Sequence, residues 1–269
     1  MNTVISGSTI LAMTIAAAAT TLLPIGLLIF WTVRRKLSML PLGLGFVSFL
    51  VSQVLTRIPL LTTLNQLPAW QSFSAAHPIL MIVVIGGLTA GLFEESARLG
   101  GALLLKEKRT FRDGCSFGIG HGFCEVILLT GMSEISNLVL ALMWNSGLLE
   151  QAGLPQEALA AAVEALAGTA PGLFYLAILE RFFAAVYHLA ASLLIFWGAS
   201  HGKKGMTWLA AVLCHTLLNS GAVLLAQYLS IWASELFMAV FAAVLLAVVL
   251  RLKETFPLEK FSNPNLKAE

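Results

Sequence analysis

Apolar residues fill the chain in seven long blocks, with short polar or basic stretches between them. A helix needs about 20 mostly apolar residues to cross a bilayer, and 5–32, 38–62, 78–105, 113–145, 172–200, 206–228 and 231–252 all qualify. The pattern predicts an all-α, polytopic membrane bundle of about seven transmembrane helices, with one membrane domain spanning 1–269. The first block is too long for a signal-peptide core, lacks a basic start and runs into Arg34-Arg35-Lys36, so it reads as a retained span. Residues 113–145 exceed one crossing, and a break near Gly131 would leave two halves too short to span. Tilt or a kink is the simpler expectation. Between Asn145 and Pro171, Leu159, Val163 and Leu166 recur at helical spacing opposite Glu157 and Glu164, predicting a short interfacial helix.

Basic residues set the expected orientation. Arg34, Arg35 and Lys36, then Lys106, Lys108, Arg109 and Arg112, then Lys203 and Lys204, then Arg251, Lys253, Lys260 and Lys267 fall on one side, and Arg57 alone on the other. The positive-inside rule then places the N-terminus outside and the C-terminus in the cytoplasm of a multi-pass protein in the cell (plasma or inner) membrane. Trp31, Trp197 and Trp208 at inner boundaries, and Trp70, Trp144 and Trp232 at outer ones, fit interfacial belts.

Composition agrees: 58% of residues are hydrophobic and 11% charged, where a soluble chain carries about 25% charged. The bilayer is the expected solvent, and a net charge of +2 gives no reason to expect a nucleic-acid partner. Cys115, Cys124 and Cys214 lie in apolar blocks and are odd in number, which argues against a disulfide framework.

Against this background the polar residues inside the spans stand out, because buried charge is costly in lipid and usually marks function. The third span carries Glu94, Glu95 and Arg98, with the arginine three and four residues past the two acids, on the face of either. The fourth carries His121 and Glu125 four apart, the fifth Glu180, Arg181 and His188, and the sixth His215 and Asn219 four apart. Counted from the basic clusters at 1.5 Å per residue, Glu95 and His215 lie about 16 Å deep, His121 about 13 Å, Glu125 about 19 Å, and His188 and Asn219 about 22 Å. Four helices thus deliver polar groups to the middle of one hydrocarbon core, which predicts a shared site. Gly114, Gly118 and Gly122 form a small-residue stripe that permits close packing beside it.

A glutamate sheltered from bulk water can take a proton from a trapped water, which becomes a nucleophile. Neutral histidine and asparagine donors at the same depth can steady the oxyanion formed at a peptide carbonyl. Peptide hydrolysis inside the membrane is the expected chemistry.

The motifs Glu94-Glu95-x-x-Arg98, Phe117-x-x-x-His121 and His215-x-x-x-Asn219, each on its own helix, resemble the CAAX protease and bacteriocin-processing (CPBP) superfamily and the PrsW proteases. With Gly120-His121-Gly122-x-x-Glu125 and Glu180-Arg181 followed by His188, the chain looks most like the YhfC family of glutamic-type intramembrane proteases, over roughly 85–225. The resemblance implies an endopeptidase core there, with Glu94 activating water beside His121, Glu95 and Arg98 supporting it, and His215 and Asn219 stabilising the oxyanion. The Arg98 spacing leaves open whether Glu94 or Glu95 is the base. Glu125 and His188 are additional site residues without a fixed role. The implied partner is a membrane-associated peptide or protein, such as a prenylated tail, a bacteriocin leader or a regulatory membrane protein.

This mechanism needs no cofactor. A variant makes the protein a zinc enzyme, because His121, Glu125, His188 and His215 are zinc-ligand types and Glu94 could remain the base, although no His-Glu-x-x-His motif is present. A proton-coupled transporter or receptor would also carry intramembrane Glu and His, but paired repeats are not apparent.

Overall fold

The computed structural model describes residues 3–106, 109–151 and 156–258. Seven helices among them are long and apolar enough to cross a membrane: Gly7–Val33, Met39–Leu64, Pro78–Leu104, Phe111–Asn145, Pro171–Ser200, Lys204–Tyr228 and Ile231–Leu250. No strand occurs among the described residues. This is the expected multi-pass bundle, with boundaries within two residues of the sequence reading.

Local chemistry starts and stops the spans. Ser6 and Ser230 accept backbone hydrogen bonds at the starts of the first and seventh. Thr110 and Asp113 form a reciprocal capping box at the start of the fourth, satisfying donors a helix start leaves orphaned. Pro78 and Pro171 occupy first helical positions, where a missing N–H costs nothing.

The fourth span is one unbroken helix of 35 residues. It loosens into π-helical turns over Val126–Gly131, next to the glycine expected to bend it. Similar wide turns occupy Leu50–Arg57 in the second span and Met81–Leu88 in the third. Such turns free carbonyls from the regular ladder and often accompany functional sites.

The fifth span runs through the centre: 56% of its apolar window is buried, against at most 33% in any other. Close packing around it depends on glycines. A Cβ at Gly118 would meet the Leu189 backbone at 2.8 Å, and one at Gly122 would meet Cβ of His188 at 3.3 Å, so the stripe seats the fourth span on the fifth. On the opposite face, a Cβ at Gly45 of the second span would lie 2.0 Å from the Phe117 carbonyl.

Loops gather at both ends. Arg112 donates to the carbonyls of Arg35 and Lys36, Arg109 to that of Ala199, and Trp197 to Thr255, so the basic loops share one end. At the other end Asn145 exchanges two hydrogen bonds with the Ile5 backbone. The expected short helix is present at Gln156–Gly168, and it buries Val163 and Leu166 against Ile5, Ala12 and Ala141 of the bundle. Its apolar face therefore serves the protein core.

Candidate active site

The third span delivers two adjacent acids to different surroundings. Glu95 is fully buried, with Oε2 3.0 Å from Nε of Arg98 and Oε1 2.8 Å from Nδ1 of His215. Both its oxygens are engaged. Glu94, about 100° away around the helix, faces the imidazoles: its Oε2 lies 3.0 Å from Nε2 of His121 and 3.9 Å from Nδ1 of His188, and its Oε1 3.7 Å from Nε2 of His215.

Arg98, also fully buried, ties the third span to the fifth. It donates to the His188 carbonyl and Ser192 Oγ, both at 2.7 Å, and contacts Nδ1 of His188 at 2.9 Å. Glu125 forms an ion pair with Nε2 of His188 and accepts from Arg181 at 2.8 Å; Arg181 also pairs with Glu180. Glu125 thus bridges Arg181 and His188, which the helix period puts on one face of the fifth span two turns apart.

The partners' chemistry assigns the imidazole tautomers. Arginine only donates, so Nδ1 of His188 accepts from Arg98 and its proton sits on Nε2, against Glu125. A carboxylate paired with arginine only accepts, so Nδ1 of His215 donates to Glu95. Ser48 gives its single hydroxyl hydrogen to the Gly45 carbonyl at 2.8 Å, so Nδ1 of His121 donates to Ser48 Oγ at 2.8 Å. His121 and His215 are anchored on their outer sides and turn a bare Nε2 toward Glu94, whereas Nδ1 of His188, 3.9 Å from Glu94, already accepts from Arg98. Nε2 of His215 is then an acceptor in the neutral ring, the reverse of the oxyanion donor expected for it.

Two bare imidazole nitrogens turned on one carboxylate form an acceptor-only set, which calls for a proton or a metal ion between them. One donor atom each from Glu94, His121 and His188 lies within 4.8 Å of the others. Carboxylate and imidazole are ordinary zinc ligands, and outward N–H groups held by carboxylates are the usual support for metal-bound histidines. The residues fit a zinc ion. Of the earlier metal candidates, His121 and His188 join this group, Glu125 stands behind His188, and His215 flanks Glu94.

The site opens into a cavity of about 520 Å³ that runs away from the basic loops, past Asn219 and Arg181 to Met81 and Val223. Asn219 lines it with no hydrogen bond to another described residue. Six of the seven spans contribute to its wall.

A family model described as "YhfC intramembrane metalloprotease" matches residues 19–242. The chain belongs to the YhfC family. It is 30% identical over 258 residues, 94% of this chain and 99% of the relative, to a Bacillus subtilis (strain 168) protein described as "Uncharacterized membrane protein YhfC". No solved structure matches. The YhfC description names a metalloprotease, which favours the zinc variant over a glutamic type without cofactor, and it says nothing of kinship with the CAAX and PrsW proteases. The two readings share a physical source, since a buried Glu beside a His looks the same in sequence whether a proton or a metal ion lies between them.

Sequence reasoning missed four residues of this region. Ser48 orients His121, Ser192 holds Arg98, and Gln53 and Arg57 line the cavity. The serines carry no signal among apolar helices. Arg57 did, as a charge inside an apolar block.

Proposed function

We propose that this chain is a zinc-dependent intramembrane endopeptidase acting on a membrane-associated peptide inside the chamber around Glu94. The observation supporting it most strongly is that ligand atoms of Glu94, His121 and His188 lie within 4.8 Å of one another, with the bare Nε2 of His215 also turned toward that carboxylate.

Glu94, His121 and His188 would hold the ion, which when bound supplies a Lewis acid for the scissile carbonyl and a water made nucleophilic near neutral pH. Glu125, held by Nε2–H of His188 and by Arg181, supports His188 from behind, and Nε2 of His215, bare in the neutral ring, is the base left to take the water's proton and return it to the leaving amine. Arg98 and Glu95 are positioning residues: the first holds the fifth span at the His188 carbonyl and Ser192 and releases Nδ1 of His188 when that nitrogen takes the ion, and the second holds His215. The amide of Asn219, free to turn toward the cavity, donates to the oxyanion. The enclosing helices exclude bulk water, which strengthens each of these contacts. By the positive-inside rule the basic loops are cytoplasmic and the chamber opens toward the opposite half of the bilayer.

The test is cleavage of a candidate membrane peptide by purified protein before and after a strong chelator. Activity lost to the chelator and restored by zinc supports the reading. Cleavage indifferent to chelation would return the mechanism to Glu94 alone, and cleavage surviving both Glu94→Gln and His121→Ala would remove this site from the reaction.

A further inference from the structure

The second span sends two polar side chains into the chamber wall, one helical turn apart: Gln53 and Arg57. They lie on the π-helical stretch Leu50–Arg57. Arg57 is seven residues from the end of that span, so it sits about 10 Å inside the membrane-crossing region.

Arg57 meets only neutral acceptors. Nε donates to Thr89 Oγ1 at 2.8 Å, Nη1 to Gln53 Oε1 at 3.1 Å, and Nη2 to the carbonyls of Ile85 and Gly86 at 2.7 and 3.2 Å. These four bonds use four of the guanidinium's five N–H groups and leave one on Nη1. Among the described residues no carboxylate lies within ion-pair distance of it. A guanidinium at this depth with no counter-charge is costly. Beside it Gln53 is 97% buried, and its Nε2 has no hydrogen-bond partner. A guanidinium without an ion-pair partner and an unpaired N–H₂ group lie side by side and offer an anion two donors. The same cavity wall carries Glu94, His188 and His215, so a ligand docked at Gln53 and Arg57 shares the chamber with the candidate metal ligands.

We infer that Gln53 and Arg57 form an oxyanion-binding cradle, and that the substrate is a peptide bearing a carboxylate, either its own C-terminus or an acidic side chain, which docks there. The free Nη1–H and the Gln53 amide suit the two oxygens of one planar group. Depth favours a carboxylate carried on a peptide over a lipid phosphate, which belongs at the bilayer surface. The inference rests on the peptidase reading only for the nature of the molecule that carries the anion.

The experiment measures equilibrium binding of fluorescent probes to the full-length protein in neutral maltoside micelles, both zinc-loaded and chelated. The probes are dansyl-Leu-Val-Leu-Ala with a free C-terminus, the same peptide as its C-terminal amide, dansyl-Leu-Val-Asp-Ala amide, and dodecyl phosphate. At least one carboxylate peptide should bind about tenfold more tightly than the neutral amide, with or without zinc, and whichever does so identifies the source of the anion. Gln53→Glu supplies Arg57 with an internal partner and should hold the helices together while erasing that preference; Arg57→Lys should keep part of it.

Equal binding of all peptides by the unsubstituted protein overturns the cradle, as does a preference that survives Gln53→Glu. So does a preference seen only with zinc, or dodecyl phosphate binding where no carboxylate peptide does. Failure to cleave any peptide while the preference is present would count against the peptidase reading and leave the cradle standing.

Discussion

Glu95 accepts a hydrogen bond from Nδ1 of His215 at 2.8 Å across the third and sixth spans, while its other oxygen meets Arg98. Two neighbouring acids in one motif therefore have separate duties. Glu95 is spent on structure, and Glu94 is left facing the chamber.

Removing Arg98 should be severe. Arg98→Met leaves Glu95 buried without its counter-charge, a change that costs about 3–5 kcal/mol. Pairing it with Glu95→Gln removes the stranded charge and should recover much of the loss. Thermal unfolding in detergent checks both, and equal destabilisation of the single and double variants would show that the ion pair is not what Arg98 supplies.

Glu94 and Glu125 should separate by readout. Glu94→Gln removes a proposed ligand and should lower both zinc content and cleavage. Glu125→Gln loosens only the outer hold on His188 and should weaken zinc binding or cleavage by about 10- to 100-fold, the usual cost of losing such support. Elemental analysis beside kinetics decides, and loss of zinc from the Glu125 variant alone would exchange their roles.

Asn219→Ala should lower kcat by about 10²- to 10³-fold, as losing an oxyanion donor does elsewhere. Because Asn219 holds no hydrogen bond to another described residue, the unfolding temperature and zinc content should not move. A fall in stability matching the fall in rate would instead make it a packing residue.

Glycine substitutions should divide by surroundings. Gly45→Ala places a methyl 2.0 Å from the Phe117 carbonyl, a backbone clash that cannot relax cheaply, and should cost about 1–3 kcal/mol. Gly43, two residues away, has nothing within 4 Å, so Gly43→Ala should be neutral or slightly stabilising. Unfolding of the two variants tests whether the second and fourth spans cross as described.

Much of this architecture was legible in the sequence, because lipid imposes a length and a polarity on every span. The same cost of buried charge made Glu94, Glu95, Arg98, His121, Glu125, His188 and His215 conspicuous, and their similar depths predicted a shared site. Sequence could not divide duties between Glu94 and Glu95, since a 100° turn of helix decides which acid meets Arg98. Nor could it find Ser48, whose hydroxyl matters only because the close approach at Gly45 brings His121 against it. Arg57 was read as an outer-side charge, and its place in the chamber depends on the wide turns that offer it the carbonyls of Ile85 and Gly86.

The most direct test of the account is zinc stoichiometry of the purified full-length protein, measured by elemental analysis after dialysis against trace zinc. One zinc per chain is expected, falling to near zero in Glu94→Gln, His121→Ala and His188→Ala variants that still unfold cooperatively. Zinc retained in all three folded variants, or none bound by the unsubstituted protein, would contradict the assignment of this chamber as the metal site.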